Sequence, residues 1–257
     1  MEAIIAEKLR DIEEKEQVRI LYACESGSRA WGFASPDSDY DVRFVYVRKT
    51  ADYLKLNPPR DVIEWQLDET LDINGWDLQK LLRLLLTFNP TIFEWNSSPI
   101  VYHTTPEWDM LSKTINSYFQ SKKGIYHYLH MATSNKREHL NSETVRLKKY
   151  FYVLRPIFAC NWILKENTPP PMLFSDLCDA ICPQEIRGEL DALLERKQLA
   201  PESMTGEKIP VLNACIDAEL KRITTLVEQL PAKEKSDIDV LNAYFYSVVT
   251  GSEMSPN

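Results

Sequence analysis

A Gly-Ser pair, Gly27–Ser28, lies between two apolar segments that have the character of β-strands. Residues 18–24 are almost entirely apolar, and residues 39–48 are again rich in Val, Phe and Tyr. β-Branched and aromatic residues favour strands, and a glycine at a turn lets the backbone approach a ligand closely. The sequence therefore predicts two strands joined by a loop that begins with a glycine turn.

Two aspartates, Asp39 and Asp41, stand at the start of the second predicted strand. Alternate side chains of a strand point to the same face, so the two carboxylates share a face while Tyr40 points the other way. Such a pair repels itself unless a cation lies between, and oxygen ligands suit Mg²⁺ or Mn²⁺. Two such ions, about 3.5 to 4 Å apart, stabilise the attacking and leaving oxygens of a phosphoryl group. Asp39 and Asp41 therefore predict a two-metal site for nucleotidyl transfer.

The residues that follow the first predicted strand have the chemistry of a triphosphate site. Backbone amides beyond Gly27 can face phosphate oxygens. Ser28 adds a hydroxyl group, and Arg29 adds a planar guanidinium that matches phosphate geometry. We expect Gly27, Ser28 and Arg29 to bind a nucleotide.

The order of strand, Gly-Ser, loop and Asp-x-Asp resembles the signature of the DNA polymerase beta nucleotidyltransferase superfamily. Longer strings are similar to the predicted nucleotidyltransferases linked to bacterial RNA repair. These strings are GSRAWG, SDYDVR, LDINGWDLQKLL, FEWNSSPIVY and KKYFYVLRP, and the resemblance runs from about residue 20 to about residue 175. It implies that a nucleoside monophosphate moves from a nucleoside triphosphate to an acceptor hydroxyl, with an RNA end as the acceptor.

The resemblance also implies a third carboxylate on a neighbouring strand, which binds one metal and draws the proton from the attacking hydroxyl. The chain offers Glu64, Asp68, Asp72 and Asp77. Asp72 is preferred because Leu71 and Ile73 flank it, as expected where a strand brings a carboxylate to a buried site. Glu64 is the alternative, since its own segment also predicts a strand. Asp77 begins an apolar helical run and fits a helix N-terminus, where an acid is favoured.

The period of the apolar residues changes near residue 106. Before it we expect an amphipathic helix over residues 3–16, the strands, and a helix over residues 76–88; after it the spacing is helical throughout. The later helices are predicted over residues 107–121, 122–138, 142–165, 175–182, 184–197, 208–230 and 236–250. The predicted fold is α+β: a nucleotidyltransferase domain, residues 1–105, with a mixed sheet and flanking helices, then an all-helical domain, residues 106–257, that completes the nucleotide and acceptor cleft.

One predicted helix carries a basic face inside an acidic chain. Residues 122–155 contain eight Lys or Arg and two acids, whereas the whole chain has a formal charge of −8. Lys148, Tyr152 and Arg155 are spaced to share a helical face, so we expect the two basic side chains to hold phosphates and Tyr152 to contact the sugar or base. The alternative is a solvated basic helix with Tyr152 half buried and Arg155 in a structural ion pair.

Composition limits the partners and the compartment. The net charge of −8 and the pI near 5.2 argue against a protein that coats nucleic acid. Five cysteines without C-x-x-C spacing predict reduced thiols in a cytoplasmic protein. The first residues are too charged for a signal peptide, and no apolar run approaches the ~18 residues of a membrane span.

Two other functional hypotheses fit the same residues. The acceptor hydroxyl could belong to a protein or a small molecule, as in adenylyltransferases of the same superfamily. The chain could also bind a nucleotide or RNA without catalysis, although two adjacent carboxylates repel phosphates unless a metal is bound. No local signature distinguishes the nucleotide base or the oligomeric state.

Overall fold

The computed structural model describes residues 1–66, 70–199, 203–231 and 237–252. The helices in these ranges are α1 (Glu2–Glu16), α2 (Gly27–Ala30), α3 (Thr50–Tyr53), α4 (Leu78–Thr87), α5 (Pro90–Asn96), α6 (Pro106–Ile115), α7 (Ser121–His139), α8 (Lys148–Glu166), α9 (Phe174–Ile181), α10 (Gln184–Leu199), α11 (Pro210–Gln229) and α12 (Ile238–Thr250), with a 3-10 turn at Asn116–Tyr118. The strands are β1 (Arg19–Ser26), β2 (Tyr40–Val47), β3 (Val62–Gln66), β4 (Leu71–Asp77), β5 (Val101–Thr104), β6 (Thr144–Arg146) and β7 (Thr205–Glu207).

The described residues fall into two compact units. Those of the first unit lie within Met1–Gly27, Asp39–Tyr118 and Lys235–Asn257, and those of the second lie within Ser28–Ser38 and Phe119–Glu234. The chain therefore passes from the first unit to the second directly after the glycine of the Gly-Ser pair. It returns to the first unit at the first aspartate of the Asp-x-Asp pair.

A mixed sheet forms the centre of the first unit. In the described residues its strand order is β3-β4-β2-β1-β5. Strands β2 and β4 run parallel, and each of the other neighbouring pairs is antiparallel. Helix α1 contributes Ile5, Leu9 and Ile12 to a core that includes Phe44 and Ile73 of the sheet. The predicted α+β class, with a mixed sheet and flanking helices, is confirmed.

The pairing of β2 with β4 depends on a glycine. Burial alternates along β4, as expected for a strand with one face in the core. Gly75 of β4 is paired with Phe44 of β2. A Cβ atom at Gly75 would lie 2.2 Å from the Phe44 ring, so a larger residue would force the ring or the strands to shift. The same register places Asp41 opposite Asp72.

Helices α6 and α12 belong to the first unit, although the sequence placed both after the predicted boundary at residue 105. Trp108 of α6 stacks on Tyr22 of the sheet, with 4.3 Å between the ring centroids. The Tyr244 hydroxyl of α12 donates a hydrogen bond of 2.9 Å to the backbone oxygen of Glu107. The compact units therefore do not follow a linear division of the chain, because the last helix packs with residues near position 107.

The second unit is mostly helical, with α7 and α8 as its central pair. It also contains a short antiparallel ribbon, in which β6 pairs with β7. The helix predicted over residues 142–165 begins only at Lys148, because Thr144–Arg146 pairs instead with Thr205–Glu207. The second unit therefore contains a short β-ribbon, whereas the sequence predicts an all-helical second domain.

The described cysteines are free thiols. Cys24, Cys160 and Cys178 are buried, and burial raises the pKa of the Cys24 and Cys178 thiols to about 12. A thiol of that pKa is protonated at neutral pH and a poor nucleophile. Across the four described ranges, no helix combines the length and apolarity needed to cross a membrane.

Candidate active site

Two carboxylates meet on adjacent parallel strands of the sheet. Asp41 of β2 and Asp72 of β4 are directly paired, and both are partly exposed. Arg43 lies two residues after Asp41, on the same face of β2. Its Nη2 atom donates to Asp41 Oδ1 at 3.0 Å and to Asp72 Oδ2 at 2.8 Å. The two predicted acids thus converge on a single cationic group.

The electrostatics of Asp41 reflect this crowding. Burial raises its pKa above the ordinary aspartate value, the Arg43 guanidinium opposes that rise, and the charges of Asp72 and Asp39 add to it. The pKa of Asp41 is therefore raised overall. A carboxylate in this position gains from an additional cation, because positive charge favours its ionised form.

The glycine of the Gly-Ser pair lies directly against the Asp41 carboxylate. Gly27 has a φ of +65°, a left-handed conformation that side chains other than glycine rarely adopt. A Cβ atom on Gly27 would lie 2.2 Å from Asp41 Oδ2. Glycine is therefore required here both by the backbone conformation and by the approach of the carboxylate.

A buried acid, Glu25, fixes the backbone beneath this carboxylate. Its Oε1 atom accepts a hydrogen bond of 2.8 Å from the amide of Asp41, and its Oε2 atom accepts one from the Tyr102 hydroxyl. The Ser98 hydroxyl donates to the Glu25 backbone oxygen at 2.7 Å. Glu25 is completely buried, so these bonds hold the start of β2 against the end of β1.

The rival candidates for the third carboxylate lie elsewhere. Glu64 is paired with Asn74 of β4, is mostly exposed, and forms an ion pair of 2.7 Å with Arg60. Asp77 caps α4, as predicted, by accepting from the amide of Gln79 at 2.8 Å. Asp68 lies outside the described residues. Of the described candidates, only Asp72 is paired in register with Asp41.

The carboxylate oxygens of this site suit a hard divalent cation. In the ranges that the structure describes, no group of three or more His, Cys, Asp or Glu residues is arranged to hold a metal ion. Asp41 and Asp72 nevertheless share one cation, the Arg43 guanidinium. Two carboxylates that share one positive charge supply the oxygen ligands that Mg²⁺ and Mn²⁺ prefer. A metal site at Asp39, Asp41 and Asp72 stays a prediction.

The other predicted nucleotide contacts lie in the second unit. Ser28 is buried, and its backbone oxygen accepts from the amide of Phe33 at 3.1 Å. Arg29 donates through Nη2 to the backbone oxygen of Ser38 at 2.5 Å. Both residues are thus held within the segment that they begin, which runs over residues 28–38.

Tyr152 and Arg155 share a helical face, as predicted from their spacing, and that face packs on Trp31. The Tyr152 ring meets the Trp31 ring edge-on at 5.7 Å, and the Arg155 guanidinium lies 4.6 Å from the same ring. Arg155 is only 3% exposed. Lys148 is the first residue of α8 and is partly buried. The roles of these three residues in nucleotide binding stay predictions.

The family model described as "RNA repair pathway DNA polymerase beta family" matches residues 1–247. The chain belongs to this family. It is 44% identical over 253 residues to "Uncharacterized protein YcgL" of Bacillus subtilis (strain 168), which covers 97% of this chain and 96% of that protein. It also resembles the crystal structure of a nucleotidyltransferase-like protein from Exiguobacterium sibiricum 255-15, at 13% identity and a TM-score of 0.32 over 97% of this chain and 81% of that one.

Membership of the RNA repair pathway DNA polymerase beta family confirms the predicted resemblance and extends it beyond residues 20–175. It supports a transferase of the polymerase-beta-like nucleotidyltransferase type. Two residues of the site, Glu25 and Arg43, were not predicted from the sequence. Arg43 had a usable signal, since it continues the Asp39 and Asp41 alternation on one face of a strand. Glu25 had only a weak one, an acid at the end of an apolar strand.

Proposed function

We propose that this protein is a metal-dependent nucleotidyltransferase. An acceptor oxygen attacks the α-phosphorus of a nucleoside triphosphate and forms a new phosphorus–oxygen bond. The bond from the α-phosphorus to its bridging oxygen breaks, and pyrophosphate leaves. The single observation that carries the proposal is the register of β2 with β4, which pairs Asp41 directly with Asp72 and so brings two carboxylates together on neighbouring strands.

Each carboxylate has a proposed role. Asp39, Asp41 and Asp72 would hold Mg²⁺ or Mn²⁺ in two sites, and the bound ions would polarise the α-phosphate and neutralise the leaving pyrophosphate. Asp72 accepts the proton of the attacking hydroxyl, because it is the more exposed member of the bridged pair. Glu25 keeps the Asp41 backbone in place through its hydrogen bond of 2.8 Å. Gly27 leaves room for the Asp41 carboxylate.

The nucleotide contacts proposed for the second unit are Ser28, Arg29, Lys148 and Tyr152. The hydroxyl of Ser28 and the charges of Arg29 and Lys148 suit phosphate oxygens, and Tyr152 suits a base or sugar. Arg155 is covered by Trp31, so we assign it first to holding that ring. To make its predicted contact with phosphate, the Arg155 guanidinium would have to move away from the Trp31 ring.

The proposed acceptor is the hydroxyl of an RNA end. Support comes from the family to which the chain belongs, which is described as an RNA repair pathway family. The eight basic residues within 122–155 give this otherwise acidic chain a positive segment that suits a phosphate backbone. A protein or small-molecule hydroxyl is the alternative acceptor.

The test is label transfer from each α-labelled nucleoside triphosphate with Mg²⁺ or Mn²⁺, in the presence of RNA or a cell extract. Asp41→Asn removes one charge of the pair with little change in volume, and Arg60→Gln is the control, because Arg60 is exposed and forms its ion pair with Glu64, away from Asp41 and Asp72. We expect metal-dependent label on RNA with the wild-type protein and with Arg60→Gln, and none with Asp41→Asn. Label that persists in Asp41→Asn or in excess chelator would overturn the proposal.

One observation favours a second candidate, a nucleotide-binding or RNA-binding protein without catalysis. Arg43 neutralises part of the charge of Asp41 and Asp72, so the pair does not depend on a metal to relieve its repulsion. Such a protein would bind nucleotide or RNA equally well with and without divalent cations. Metal-independent binding without pyrophosphate release would therefore select this candidate.

A further inference from the structure

The segment after Gly27 is held along its length by the helical part of the second unit. We call residues 28–38 the nucleotide loop. The amide of Phe174 donates a hydrogen bond of 2.9 Å to the backbone oxygen of Trp31. The Phe33 ring packs against Phe151 at 5.1 Å and against Phe174 at 5.4 Å. The nucleotide loop therefore takes its shape from residues far away in sequence.

A buried lysine near the end of α10 makes polar contacts with this loop. Lys197 is 4% exposed. Its ammonium donates to the backbone oxygen of Phe33 at 2.8 Å and to Ser35 Oγ at 3.1 Å. The Ser35 hydroxyl in turn donates to the backbone oxygen of Lys197 at 3.0 Å. The ammonium also lies 5.2 Å from the Phe33 ring centroid.

Burial of an ammonium group is unfavourable unless its donors are satisfied. An apolar side chain at position 197 would avoid that cost, but it would leave the oxygens of Phe33 and Ser35 without these donors. The charge is therefore used to bind polar groups of the nucleotide loop. Simple space filling would not require it.

The two residues that Lys197 contacts are hydrogen-bonded to the two ends of the nucleotide loop. The amide of Phe33, the residue whose carbonyl Lys197 binds, donates to the backbone oxygen of Ser28 at 3.1 Å. The amide of Ser35 donates to Ser38 Oγ at 2.9 Å, and the amide of Ser38 returns a bond of 3.1 Å to the oxygen of Ser35. One ammonium thus fixes the turn that presents Ser28 and the turn that precedes Asp39.

We propose that Lys197 is a positioning residue for nucleotide binding, which fixes the nucleotide loop so that Ser28 and Arg29 are in place for the triphosphate. This inference rests on the proposed function. Lys197 does not touch the nucleotide. It acts through the backbone of Phe33 and the hydroxyl of Ser35.

The test compares Lys197→Met with Arg196→Gln in the full-length protein. Methionine keeps an unbranched apolar stem and loses the donors, and Arg196 is an exposed neighbour on the same helix. Because Ser28 is proposed to bind the triphosphate in the ground state, we expect Lys197→Met to raise KM for the nucleoside triphosphate about tenfold and to leave kcat within about twofold. Lys197→Arg, which keeps the charge and the donors, should recover part of the loss.

A variant that merely unfolds more easily would have a smaller active fraction, and this lowers the apparent kcat with KM unchanged. Hydrogen exchange supplies a second measurement that needs no activity. The Phe33 amide should exchange about tenfold faster in Lys197→Met, whereas amides of α7 and α8 keep their protection.

The outcomes separate the two proposals. Unchanged KM and unchanged exchange at Phe33 in Lys197→Met, with an active wild-type protein, overturn the role of Lys197 alone. A wild-type protein that releases no pyrophosphate with any nucleoside triphosphate, in the presence of RNA or a cell extract as acceptor, overturns the proposed function, and the role of Lys197 in nucleotide binding falls with it.

Discussion

At the scale of single residues, Arg43 decides the charge balance of the candidate site. Its guanidinium is shared between Asp41 and Asp72, at 3.0 Å and 2.8 Å. A divalent cation that binds these oxygens must compete with that guanidinium. The two ion pairs therefore stabilise the carboxylates in the absence of metal. For the same reason, they weaken the binding of a metal ion to these oxygens.

Replacement of Arg43 by Gln should strengthen binding of Mn²⁺ at the acid pair. Removal of the competing positive charge should lower the Kd about tenfold, which corresponds to about 1.4 kcal/mol. Titration calorimetry with Mn²⁺ measures this directly. Arg60→Gln, which removes an exposed arginine from the loop before β3, should leave the Kd unchanged. Equal or weaker binding by Arg43→Gln would contradict competition.

Replacement of Asp41 by Asn should stabilise the protein at neutral pH in the absence of divalent cations. The pKa of Asp41 is raised in the folded state, chiefly by burial, so the folded protein binds this proton more tightly than the unfolded chain does. Stability therefore falls as pH rises from the ordinary aspartate pKa through the raised value. We expect Asp41→Asn to raise Tm by about 2–4 °C at pH 7.

That difference should shrink below the ordinary aspartate pKa, where both proteins carry a neutral side chain at position 41. Thermal unfolding over a pH series measures it. A Tm of Asp41→Asn below that of the wild-type protein at pH 7 would show that the Arg43 ion pair outweighs burial.

Replacement of Gly27 by Ala should destabilise the protein more than the same change at Gly251. Both glycines have similar left-handed backbones, with φ of +65° and +69°. Only at Gly27 does the new Cβ meet another atom, Asp41 Oδ2 at 2.2 Å, whereas nothing lies within 4 Å at Gly251. We expect Gly251→Ala to cost about 1 kcal/mol and Gly27→Ala at least about 2 kcal/mol, as measured by denaturant unfolding. Equal losses would contradict the contact with Asp41.

Local patterns were enough to predict some site residues and not others. Asp72 could be chosen because the apolar residues on either side of it are visible in the sequence. Its partner Arg43 is 29 residues away, and the pairing depends on the register of β2 with β4. Glu25 was missed for the same reason, since its contacts with Asp41 and Tyr102 join three strands.

At the scale of elements, the pairing of β2 with β4 positions the two carboxylates. Gly75 allows the Phe44 ring to lie against β4, and Asp41 and Asp72 are paired three residues earlier in the same register. A change at Gly75 therefore acts on the strand pair that carries the two acids without touching either one.

Replacement of Gly75 by Ala should destabilise the protein by about 1–3 kcal/mol, because the new methyl group overlaps the Phe44 ring. Phe44→Leu in the same chain should recover part of that loss by removing the overlapping ring atoms. Denaturant unfolding of the two single variants and the double variant measures the coupling. Strictly additive losses would contradict a direct contact between the two positions.

The helical period predicted most of the helices that the structure describes, but it could not predict the β6–β7 ribbon. Thr144–Arg146 shows no apolar alternation and follows a helical pattern, and its partner strand Thr205–Glu207 lies about 60 residues later. Non-local pairing of this kind leaves no periodic signal within either short segment. The start of α8 at Lys148 follows from the same pairing.

At the scale of the whole molecule, the C-terminal helix α12 completes the first unit. Leu241 and Tyr244 are buried there, and Thr50 Oγ1 donates to the backbone oxygen of Val249 at 2.8 Å. The Phe245 ring meets Tyr53 edge-on at 5.1 Å. The sequence could not place α12, because periodicity shows which face of a helix is apolar but not which partner covers it.

Truncation after residue 237 should therefore destabilise the first unit. Loss of the buried Leu241 and Tyr244 side chains alone removes about 3–6 kcal/mol of apolar burial. Thermal unfolding should show a lower Tm, and hydrogen exchange should become faster in α6, which contacts α12 through Glu107. Tyr246→Ala, at an exposed position of the same helix, is the control and should change neither. Faster exchange confined to α7 and α8 would contradict the assignment of α12.

Asp72, paired with Asp41, is the proposed third carboxylate of a nucleotidyl-transfer site. The most direct measurement is the rate of pyrophosphate release by Asp72→Asn and by Glu64→Gln, with saturating nucleoside triphosphate, Mg²⁺ and the acceptor RNA. We expect Asp72→Asn to lose at least about a hundredfold in kcat, as is typical for loss of a general base, and Glu64→Gln to stay within about twofold of the wild-type rate. A large loss in Glu64→Gln together with an active Asp72→Asn would contradict the claim.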